Sequence, residues 1–368
     1  MATIDDVART AGVSTSTVSY VLSGKRPISA PTRLRVEKAI RELGYRPHAG
    51  ARALASSRTQ VIALMAPLRV DVDVSVIMQF VTGVVTAART YEHDVLLLTQ
   101  DDAAGLDRVA SGSMVDALVV MDIEDDDPRV PLLATLRQPT VLIGLPHEAA
   151  GLSCVDLDFE GAGRLAVRHL SARGHRAVGL VGSPPAVLER HTSYAERILR
   201  GFRSEAQALD VQAGHVACES SPSGARAAVD SLLAAVPGVT AVVVHNEVAL
   251  PFVVSALHDH GLRTPEDVSV LAVCPPEVAE SQPVPLSSID LPAHTIGAVA
   301  VEMVMARLDQ DHPAETRLLT PRVVDRGSVL DRRADAQDAA SDGLTDAAGP
   351  APGPARPTGS TGPPGVSP

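Results

Sequence analysis

The chain has 368 residues, a net charge of −12, three scattered cysteines and no Trp. An odd number of dispersed cysteines excludes a disulfide-stapled scaffold, and no apolar run reaches the length that a membrane span needs. The N-terminus leads directly into a capped helix and not into a signal peptide, so we expect a cytoplasmic protein without a membrane partner.

Residues 3–22, TIDDVARTAGVSTSTVSYVL, predict two short amphipathic helices joined by a tight turn. Thr3 is placed to cap the first helix, with Asp6 three residues on as an imperfect capping box, and Gly12 ends it. Ser14 can cap the second helix. We expect three apolar side chains of that helix to point back at the first: Val18, Val21 and Leu22.

The other face of the second helix carries small hydroxyl side chains and one tyrosine. Such side chains at an exposed helix N-terminus suit close approach to DNA bases and phosphates. For the hairpin pattern taken alone, an ordinary structural helix pair is the alternative. The residues left free on this face are Thr15, Ser16, Thr17, Ser19 and Tyr20.

Charge favours the DNA interpretation. Residues 1–58 carry ten basic and four acidic side chains and sum to +6, whereas residues 59–368 sum to −18. A basic head on an acidic body is typical of a protein that binds a polyanion through its head.

A third helix follows, which Ser29 can cap, with Pro31 in its first turn and Gly44 at its end. We expect three of its side chains to close a small three-helix core: Leu34, Ile40 and Leu43.

A short segment starting at Pro47 follows the third helix. It contains Gly50, and helices this short are marginal in water, so we expect residues 48–56 to become helical only on DNA. Leu54 is a large apolar residue in this segment, which has no core of its own to bury it. An exposed Leu beside Arg52 is suited to wedge into a DNA base step.

Residues 61–330 alternate apolar runs with helical patterns. Continuous Val, Leu and Ile runs separated by helices predict parallel sheets covered on both faces, and about 270 residues predict two lobes. Ligands bind such folds at the carboxyl ends of the strands. The predicted strands lie at residues 61–67, 95–100, 116–122, 140–144, 177–183, 240–246 and 268–273.

The last segment is rich in Pro, Gly, Ala and Ser and cannot bury enough apolar surface to order itself. The predicted organisation is therefore an all-α helix-turn-helix head at 1–46, a hinge helix at 47–58, an α/β body at 59–330 and a disordered tail at 331–368.

Three motifs carry a resemblance to the lac repressor/galactose repressor family of bacterial transcription regulators: IDDVARTAGVSTSTVSYVL, SAPTRLRVEKAIRELGYRP and ARAL. HLSARGHRAVGLVG, PEDVSVLAV and LLTPRVVDRGSV extend it over nearly all of residues 1–330. The resemblance implies a homodimeric repressor with a two-lobed, periplasmic-binding-protein-like body that senses a small molecule. It also implies recognition of a palindromic operator in double-stranded DNA.

The resemblance also implies site residues. Thr15, Ser16 and Tyr20 would lie in the major groove, Arg26 would contact DNA nearby, and Leu54 would enter the minor groove. Many members have Arg at the position of Tyr20, and Tyr cannot make the bidentate guanine contact of Arg. The full set of predicted DNA contacts is Ser14, Thr15, Ser16, Thr17, Tyr20, Arg26, Arg52 and Leu54.

The effector pocket departs from the family pattern. Glu247 follows Asn246 where the family commonly has Asp, Cys274 replaces a carboxylate, and Arg197 stands one position from the usual pocket arginine. With four Phe, four Tyr and no Trp, a sugar pocket is poorly supplied, so we expect weak or no response to simple sugars. The predicted effector contacts are Asp73, Ser75, Arg197, Asn246, Glu247 and Cys274.

Two further patterns do not predict a site. Gly161-Ala-Gly163 fits a dinucleotide fingerprint, but the preceding VDLD is too short and polar for the fingerprint strand. His258-Asp259-His260 is more typical of a solvated helix end than of a metal site, since adjacent helical residues do not share a face.

The sequence contains no G-x-S-x-G, H-E-x-x-H or P-loop motif, so it predicts no catalytic residues, no cofactor and no enzyme activity. The alternatives are the same regulator with a vestigial pocket and, from another class, a solute-binding protein.

Overall fold

The computed structural model describes residues 2–23, 26–45, 58–69, 72–99, 103–111, 114–310 and 312–333, together with Gly365. The chain divides into two units, Met1–Leu330 and Asp331–Pro368. The elements of the first unit are, in chain order, α1 (Ile4–Ala11), α2 (Thr15–Ser23), α3 (Ala30–Leu43), β1 (Val61–Met65), α4 (Val74–Thr90), β2 (Asp94–Leu98), α5 (Ala103–Ser111), β3 (Ala117–Val120), α6 (Val130–Leu133), β4 (Thr140–Ile143), β5 (Ser153–Leu157), α7 (Phe159–Ser171), β6 (Ala177–Val181), α8 (Pro185–Glu189), α9 (Ser193–Ala208), β7 (Gln212–Val216), α10 (Pro222–Ala235), β8 (Ala241–Val244), α11 (Leu250–Asp259), β9 (Ser269–Cys274), α12 (Pro276–Glu280), β10 (Ser287–Asp290), α13 (Ala293–Asp309), β11 (Thr316–Leu319) and β12 (Val323–Val324).

Helices α1 and α2 have the capping that their sequence predicts, whereas the predicted cap of α3 is wrong: the hydroxyl of Ser29 donates to Thr32 Oγ1 (2.9 Å) and caps no backbone amide. The amide of Asp6 donates to Thr3 Oγ1 (3.3 Å), and the amide of Thr3 donates to Asp6 Oδ2 (3.0 Å), which completes the capping box of α1. Gly12 ends the helix in the left-handed conformation, at φ 63°. Ser14 Oγ accepts from the amide of Thr17 (3.2 Å) and so caps α2. The turn is therefore fixed by local hydrogen bonds as well as by packing.

The core of the head differs from the prediction. The buried residues are Val7, Ala8, Ala11, Val18, Val36, Ala39 and Tyr45, with Val21 and Ile40 packed against them. Tyr45 follows α3 and is buried in this core, where the sequence analysis did not place it. Leu34 is 62% exposed, and Leu22 and Leu43 are exposed as well, so their predicted core roles are wrong.

The body contains two six-stranded sheets with matching topology. The strand order is β11-β5-β4-β3-β1-β2 in the first and β12-β10-β9-β8-β6-β7 in the second. Every pair is parallel except β10 with β12. In each lobe the second strand pairs with one edge of the first strand, and the third strand pairs with its other edge. The strand order therefore reverses beside the first strand of each lobe, at β1 and at β6. The predicted parallel, two-lobed α/β architecture is confirmed.

Strand β5 corrects a prediction. It includes VDL of the VDLD motif and lies outside the predicted strands, yet all five of its residues are buried. Asp156 is tolerated inside it because the guanidinium of Arg197 binds its carboxylate at 2.7 Å. Asp158 follows the last residue of β5 and caps α7. It begins one of the segments that join the lobes.

Glycines let two pairs of helices pack closely, one pair in each lobe. A Cβ on Gly163 of α7 would lie 2.2 Å from the carbonyl oxygen of Ile198 in α9, and one on Gly201 would lie 2.0 Å from that of Glu160. Gly83 of α4 and Gly297 of α13 make the corresponding contact in the other lobe. Helix packing therefore explains Gly163 of the glycine motif without a dinucleotide.

The His258-Asp259-His260 cluster lies at an exposed helix end, as predicted. Asp259 pairs with Arg226 (3.0 Å) and His260 with Asp230 (2.7 Å), so these side chains have partners on the surface. Within the described residues, no helix is long and apolar enough to span a membrane.

Candidate functional site

The N-terminal part of α2 forms an exposed, hydroxyl-rich surface. Ser14, Thr15 and Ser16 are exposed, and Thr17 is half-buried. Ser14 Oγ lies 2.8 Å from Ser16 Oγ and 2.9 Å from Thr17 Oγ1, so the Ser14 hydroxyl is engaged in the local cap. The hydroxyl of Thr15 has no such engagement within the described residues. Ser14 thus orders this surface, and Thr15 is the hydroxyl best placed to meet another molecule.

Tyr20 carries a basic side chain over its ring. The guanidinium carbon of Arg26 lies 5.8 Å from the ring centroid, a distance at which a cation is attracted to an aromatic face. The pair presents a flat ring and a positive charge on one surface. The two other predicted DNA contacts, Arg52 and Leu54, lie outside the described residues.

A cavity of about 120 Å³ lies between the lobes, at the carboxyl ends of the strands. Its walls include Ala66 after β1, Met121 after β3, Ser183 after β6 and His245 after β8. These positions flank the point in each sheet where the strand order reverses, which is where doubly wound sheets bind ligands. The two lobes therefore direct their binding edges into one space.

The cavity wall is mainly apolar but includes four acidic residues. No Lys or Arg occurs among the described residues that line it. The lining residues are Ala66, Pro67, Val72, Asp73, Val76, Ile77, Phe80, Met121, Asp122, Ile123, Ile143, Gly144, Asp156, Phe159, Ser183, Pro184, Tyr194, His245, Asn246, Glu247, Val248 and Leu291.

Asn246 lines the cavity, but its side chain is already engaged. Its Nδ2 donates to the carbonyl oxygen of Cys218 (2.8 Å). Its Oδ1 accepts from the amide of Ala249 (3.1 Å) and from Ser220 Oγ (3.3 Å). The amide fixes the loop after β8, and only its second N–H remains to pair with a ligand hydroxyl while these bonds hold.

Arg197 is a correction to the predicted effector contacts. Only 3% of it is exposed, and it does not line the cavity. Its Nη1 donates to Asp156 Oδ2 (2.7 Å) and its Nη2 to the carbonyl oxygen of Leu157 (2.9 Å). Burial raises the pKa of Asp156 to about 6 in spite of this partner. Arg197 therefore satisfies a buried carboxylate behind the cavity wall.

Ser75 and Cys274 are also corrected. The Ser75 hydroxyl donates to Asp73 Oδ1 (2.6 Å) within the cap of α4 and does not line the cavity. Cys274 is buried in the core beneath the cavity, and burial raises the pKa of its thiol well above the usual range. Neither side chain is placed to touch a ligand.

Asp73 and Glu247 do reach the cavity. Asp73 caps α4 and accepts from the amide of Ser75 (2.8 Å). Burial raises the pKa of Glu247 from near 4.5 to about 7, and the charge of Asp73 adds to the effect. Within the described residues neither carboxylate has an ion-pair partner. The cavity thus contains two carboxyl groups with unsatisfied charge.

Three rings form an aromatic cluster in the wall, and the sequence analysis missed it. The ring centroids of Phe159, Tyr194 and His245 lie 5.5–5.6 Å apart. Burial lowers the pKa of His245 to about 4, so its imidazole is neutral, and its Nδ1 has no hydrogen-bond partner within the described residues. The position of His245 at the end of a predicted strand was the available signal.

Backbone hydrogen bonds join the lobes beside the cavity. The amide of Ser193 donates to the carbonyl oxygen of Ile123 (2.9 Å), and the amide of Asp125 donates to that of His191 (2.8 Å). Arg190 lies between Asp122 and Glu124 of the other lobe, at 3.7 and 3.9 Å. These contacts hold the cavity closed on one side.

Two family models match the chain. Residues 3–48 match bacterial regulatory proteins of the lacI family, and residues 167–329 match a periplasmic binding protein-like domain. The first match contains the exposed surface of α2, and the second contains most of the second lobe.

Solved structures share the fold. The chain is 26% identical to a transcriptional regulator CelR-cellobiose complex, with 89% of this chain and 100% of that chain covered and a TM-score of 0.64. A lac repressor dimer bound to operator and an anti-inducer is 23% identical, with 89% and 99% covered and a TM-score of 0.76.

Curated relatives match over almost their whole length. The transcriptional repressor PurR of Proteus mirabilis is 31% identical over 346 residues, which cover 90% of this chain and 98% of the relative. The regulator CelR of Thermobifida fusca is 29% identical, with 86% and 95% covered. On these matches, and with the head and cleft described above, the chain belongs to the lacI family and is a DNA-binding regulator of transcription.

Proposed function

We propose that the protein is a dimeric repressor that binds a palindromic operator through α2 and changes its operator affinity when a small molecule occupies the cleft cavity. The observation that carries the proposal is the combination in one chain of an exposed, hydroxyl-rich α2 and a cavity at two opposed sheet edges. Because its target is genomic DNA, we assign it to the cytoplasm, and we assign it no catalytic role.

In this proposal Thr15, Ser16 and Tyr20 read bases, and Arg26 adds affinity for phosphate next to Tyr20. Ser14 and Thr17 hold the end of α2 in the right orientation. Arg52 and the wedge Leu54 stay predictions from the sequence. Recognition by Tyr differs from that by Arg, since a single hydroxyl cannot make the bidentate guanine contact.

The effector acts by stabilising one arrangement of the lobes over another. A ligand shifts such an equilibrium only by its difference in affinity for the two states, typically about 1–3 kcal/mol. Asp73 and Glu247 belong to opposite lobes and both reach the cavity, so a ligand that touches both distinguishes an open from a closed cleft.

Selection from a random duplex library with the full chain tests the DNA part. We expect a palindromic consensus whose affinity falls roughly 10³-fold or more between 50 and 200 mM salt, as for proteins with several phosphate contacts. Failure to enrich any duplex, or an affinity that does not change with salt, would contradict the proposal.

A charge-matched pair of variants tests the role of α2. Tyr20→Arg should change the preferred base at one position of each half-site by about 1–3 kcal/mol. Leu34→Arg adds the same side chain at an exposed position of α3 and should strengthen binding without changing the consensus. An unchanged consensus in both variants would rule out Tyr20 as a base-reading residue.

A further inference from the structure

The polar groups of the cleft cavity are few once internal partners are counted. Asn246 is engaged by Cys218 and Ala249, and Asp156 by Arg197. Asp122 lies 3.2 Å from Arg69. A polyhydroxylated ligand needs paired donors and acceptors along its whole edge. This wall also contains Ser183 and Tyr194, but its acidic groups without an ion-pair partner among the described residues are Asp73 and Glu247, and no Lys or Arg stands beside them.

The charge of these remaining groups is negative. Asp73 and Glu247 approach each other from the two lobes, and the charge of Asp73 adds to the raised pKa of Glu247. Without a basic residue among the described lining, an anionic ligand would add a third negative charge. A cation placed between the two carboxyl groups would relieve their repulsion instead.

The rest of the wall suits an aromatic or other apolar body. Phe159, Tyr194 and the neutral ring of His245 form one side, and Phe80 lies in the same cavity. Three of the eight Phe and Tyr residues of the chain line this one space. Aromatic faces attract both apolar rings and cations.

We propose that the cavity binds an organic cation with an apolar, ring-sized body, which lies against Phe159, Tyr194 and His245 while its ammonium group meets the carboxylates of Glu247 and Asp73. This inference rests on the proposed function only in taking the cavity to be the effector site. It specifies the charge and the polarity of the effector, and the proposed function alone specifies neither.

Binding is coupled to proton release. The pKa of Glu247 is about 7 in the empty cavity, so at pH 6 the carboxyl is mostly protonated. An ammonium group lowers that pKa, and close to one proton leaves per ligand bound at pH 6. The other titratable groups of the cavity are Asp73, which caps α4, Asp122, Asp156 with a pKa of about 6, and the neutral His245, while the buried thiol of Cys274 on β9 lies close to Glu247. The thiol does not titrate in this range, because burial keeps it protonated.

The test is titration calorimetry of the full chain with three isosteric series. Each series compares an amine with the matching alcohol and carboxylate: benzylamine, phenethylamine and tryptamine are the amines. We expect at least one amine to bind at least tenfold more tightly than its alcohol at pH 8, and the carboxylate to bind most weakly. Affinity for the amine should rise from pH 6 to pH 8, and buffers of different ionisation enthalpy should show proton release at pH 6.

Variants separate the two parts of the site. Glu247→Gln should abolish the preference for amine over alcohol, whereas Glu148→Gln, which removes a charge on the exposed surface, should not change it. Tyr194→Leu should weaken binding of amine and alcohol alike, by several-fold. Operator binding by each variant in the absence of ligand confirms that it is folded.

The outcomes distinguish this inference from the proposed function. Operator binding together with equal affinity for amine and alcohol, tighter binding of the carboxylate, or no binding of any amine overturns the inference alone. Micromolar binding of a simple sugar that survives Glu247→Gln also overturns it. Loss of operator recognition by the wild-type chain would instead overturn the proposed function.

Discussion

Replacing Arg197 decides whether this residue supports the cleft or contacts the effector. In the Arg197→Met variant, Asp156 stays buried in β5 and keeps only the amide of Leu157, at 2.9 Å, as a donor. Breaking a buried ion pair by removing one partner costs about 3–5 kcal/mol of unfolding free energy. Because about 1 kcal/mol corresponds to roughly 2–4 °C in a body of this size, the melting temperature should fall by roughly 10 °C.

The pH dependence of this cost identifies its cause. In the wild type the pKa of Asp156 is already raised to about 6 from near 3.8, and loss of the guanidinium raises it further. A carboxyl with a raised pKa in the folded state contributes stability at low pH that is lost as the pH rises through that pKa. The cost of Arg197→Met should therefore be largest near pH 8 and shrink towards pH 5.

Two further variants test the same buried ion pair. Asp156→Asn leaves a buried guanidinium without its partner, and its cost should shrink as the pH rises from 4 to 8, because only the wild type loses stability as the raised pKa of Asp156 is passed. The double variant Arg197→Met/Asp156→Leu removes both charges and should be at least about 2 kcal/mol more stable than either single variant, since apolar replacements of buried pairs are often neutral. Urea unfolding followed by far-UV circular dichroism measures all of these, because the chain has no Trp for fluorescence.

A different result would refute this reasoning. If Arg197 contacts the effector, Arg197→Met should leave the unfolding free energy of the free protein within about 0.5 kcal/mol, as surface substitutions do, and abolish the response to ligand. That outcome would restore the role predicted from the sequence.

Three further substitutions should each change the free energy of unfolding in a definite direction. Glu247→Gln should stabilise the free protein by up to about 3 kcal/mol at pH 8, with the gain lost by pH 4.5, because the raised pKa costs stability only where the carboxyl ionises; urea titrations at both values check this. Gly201→Ala should destabilise the body by at least about 2 kcal/mol in urea, since its Cβ would meet the Glu160 carbonyl, although helix propensity alone predicts a gain of about 1 kcal/mol. Thr3→Ala removes the cap of α1 and should cost about 1 kcal/mol of head stability, which calorimetric unfolding measures; an unchanged head transition would show that the cap is dispensable.

Local sequence patterns were enough for the architecture. The apolar runs at residues 61–67, 140–144 and 240–246 contain β1, β4 and β8, because parallel strands buried on both faces need uninterrupted apolar side chains. The capping of α1 was equally readable, since Thr3 and Gly12 act through hydrogen bonds within a few residues. Patterns that act at short range are visible in a single sequence.

Features that depend on contacts between residues far apart in the sequence could not be predicted. Strand β5 was missed because Asp156 makes it look polar, and its partner Arg197 lies 41 residues further along the chain. Asn246 was taken for a ligand contact because its engagement by Cys218, 28 residues earlier, exists only in the folded protein. The exposed Leu34 is a similar case, since the head core is completed by Tyr45, which follows α3 and has no place in the helical pattern of that helix.

The scarcity of aromatic residues was misleading for a related reason. Composition gives the number of rings in the chain but not their places in the fold. Phe159 and Tyr194 come from the first turns of α7 and α9, and His245 follows β8, so three separate elements build the cluster. The chemistry of the cavity is therefore a property of the topology, which brings the carboxyl ends of the strands together.

The same topology connects the cavity to the chain that leads towards the head. Strand β3 is buried along its whole length, and Met121 and Asp122 at its carboxyl end line the cavity. At its other end Asp116 accepts hydrogen bonds from the amides of Thr59 (2.7 Å) and Gln60 (2.8 Å), the first residues of the body. A four-residue strand spans about 13 Å, and a buried strand moves as a rigid element.

Helix α13 makes a second connection of this kind. It begins beside Leu291, which lines the cavity, and ends at Asp309, which binds the guanidinium of Arg58 at 2.9 Å. Two rigid elements of the first lobe thus extend from the cavity wall to residues 58–60. We propose that a ligand that moves this wall also moves residues 58–60, because two packed elements lie between them. The position of the cleft at the ends of β3 and α13 would then give a small molecule influence over the segment that leads to the head.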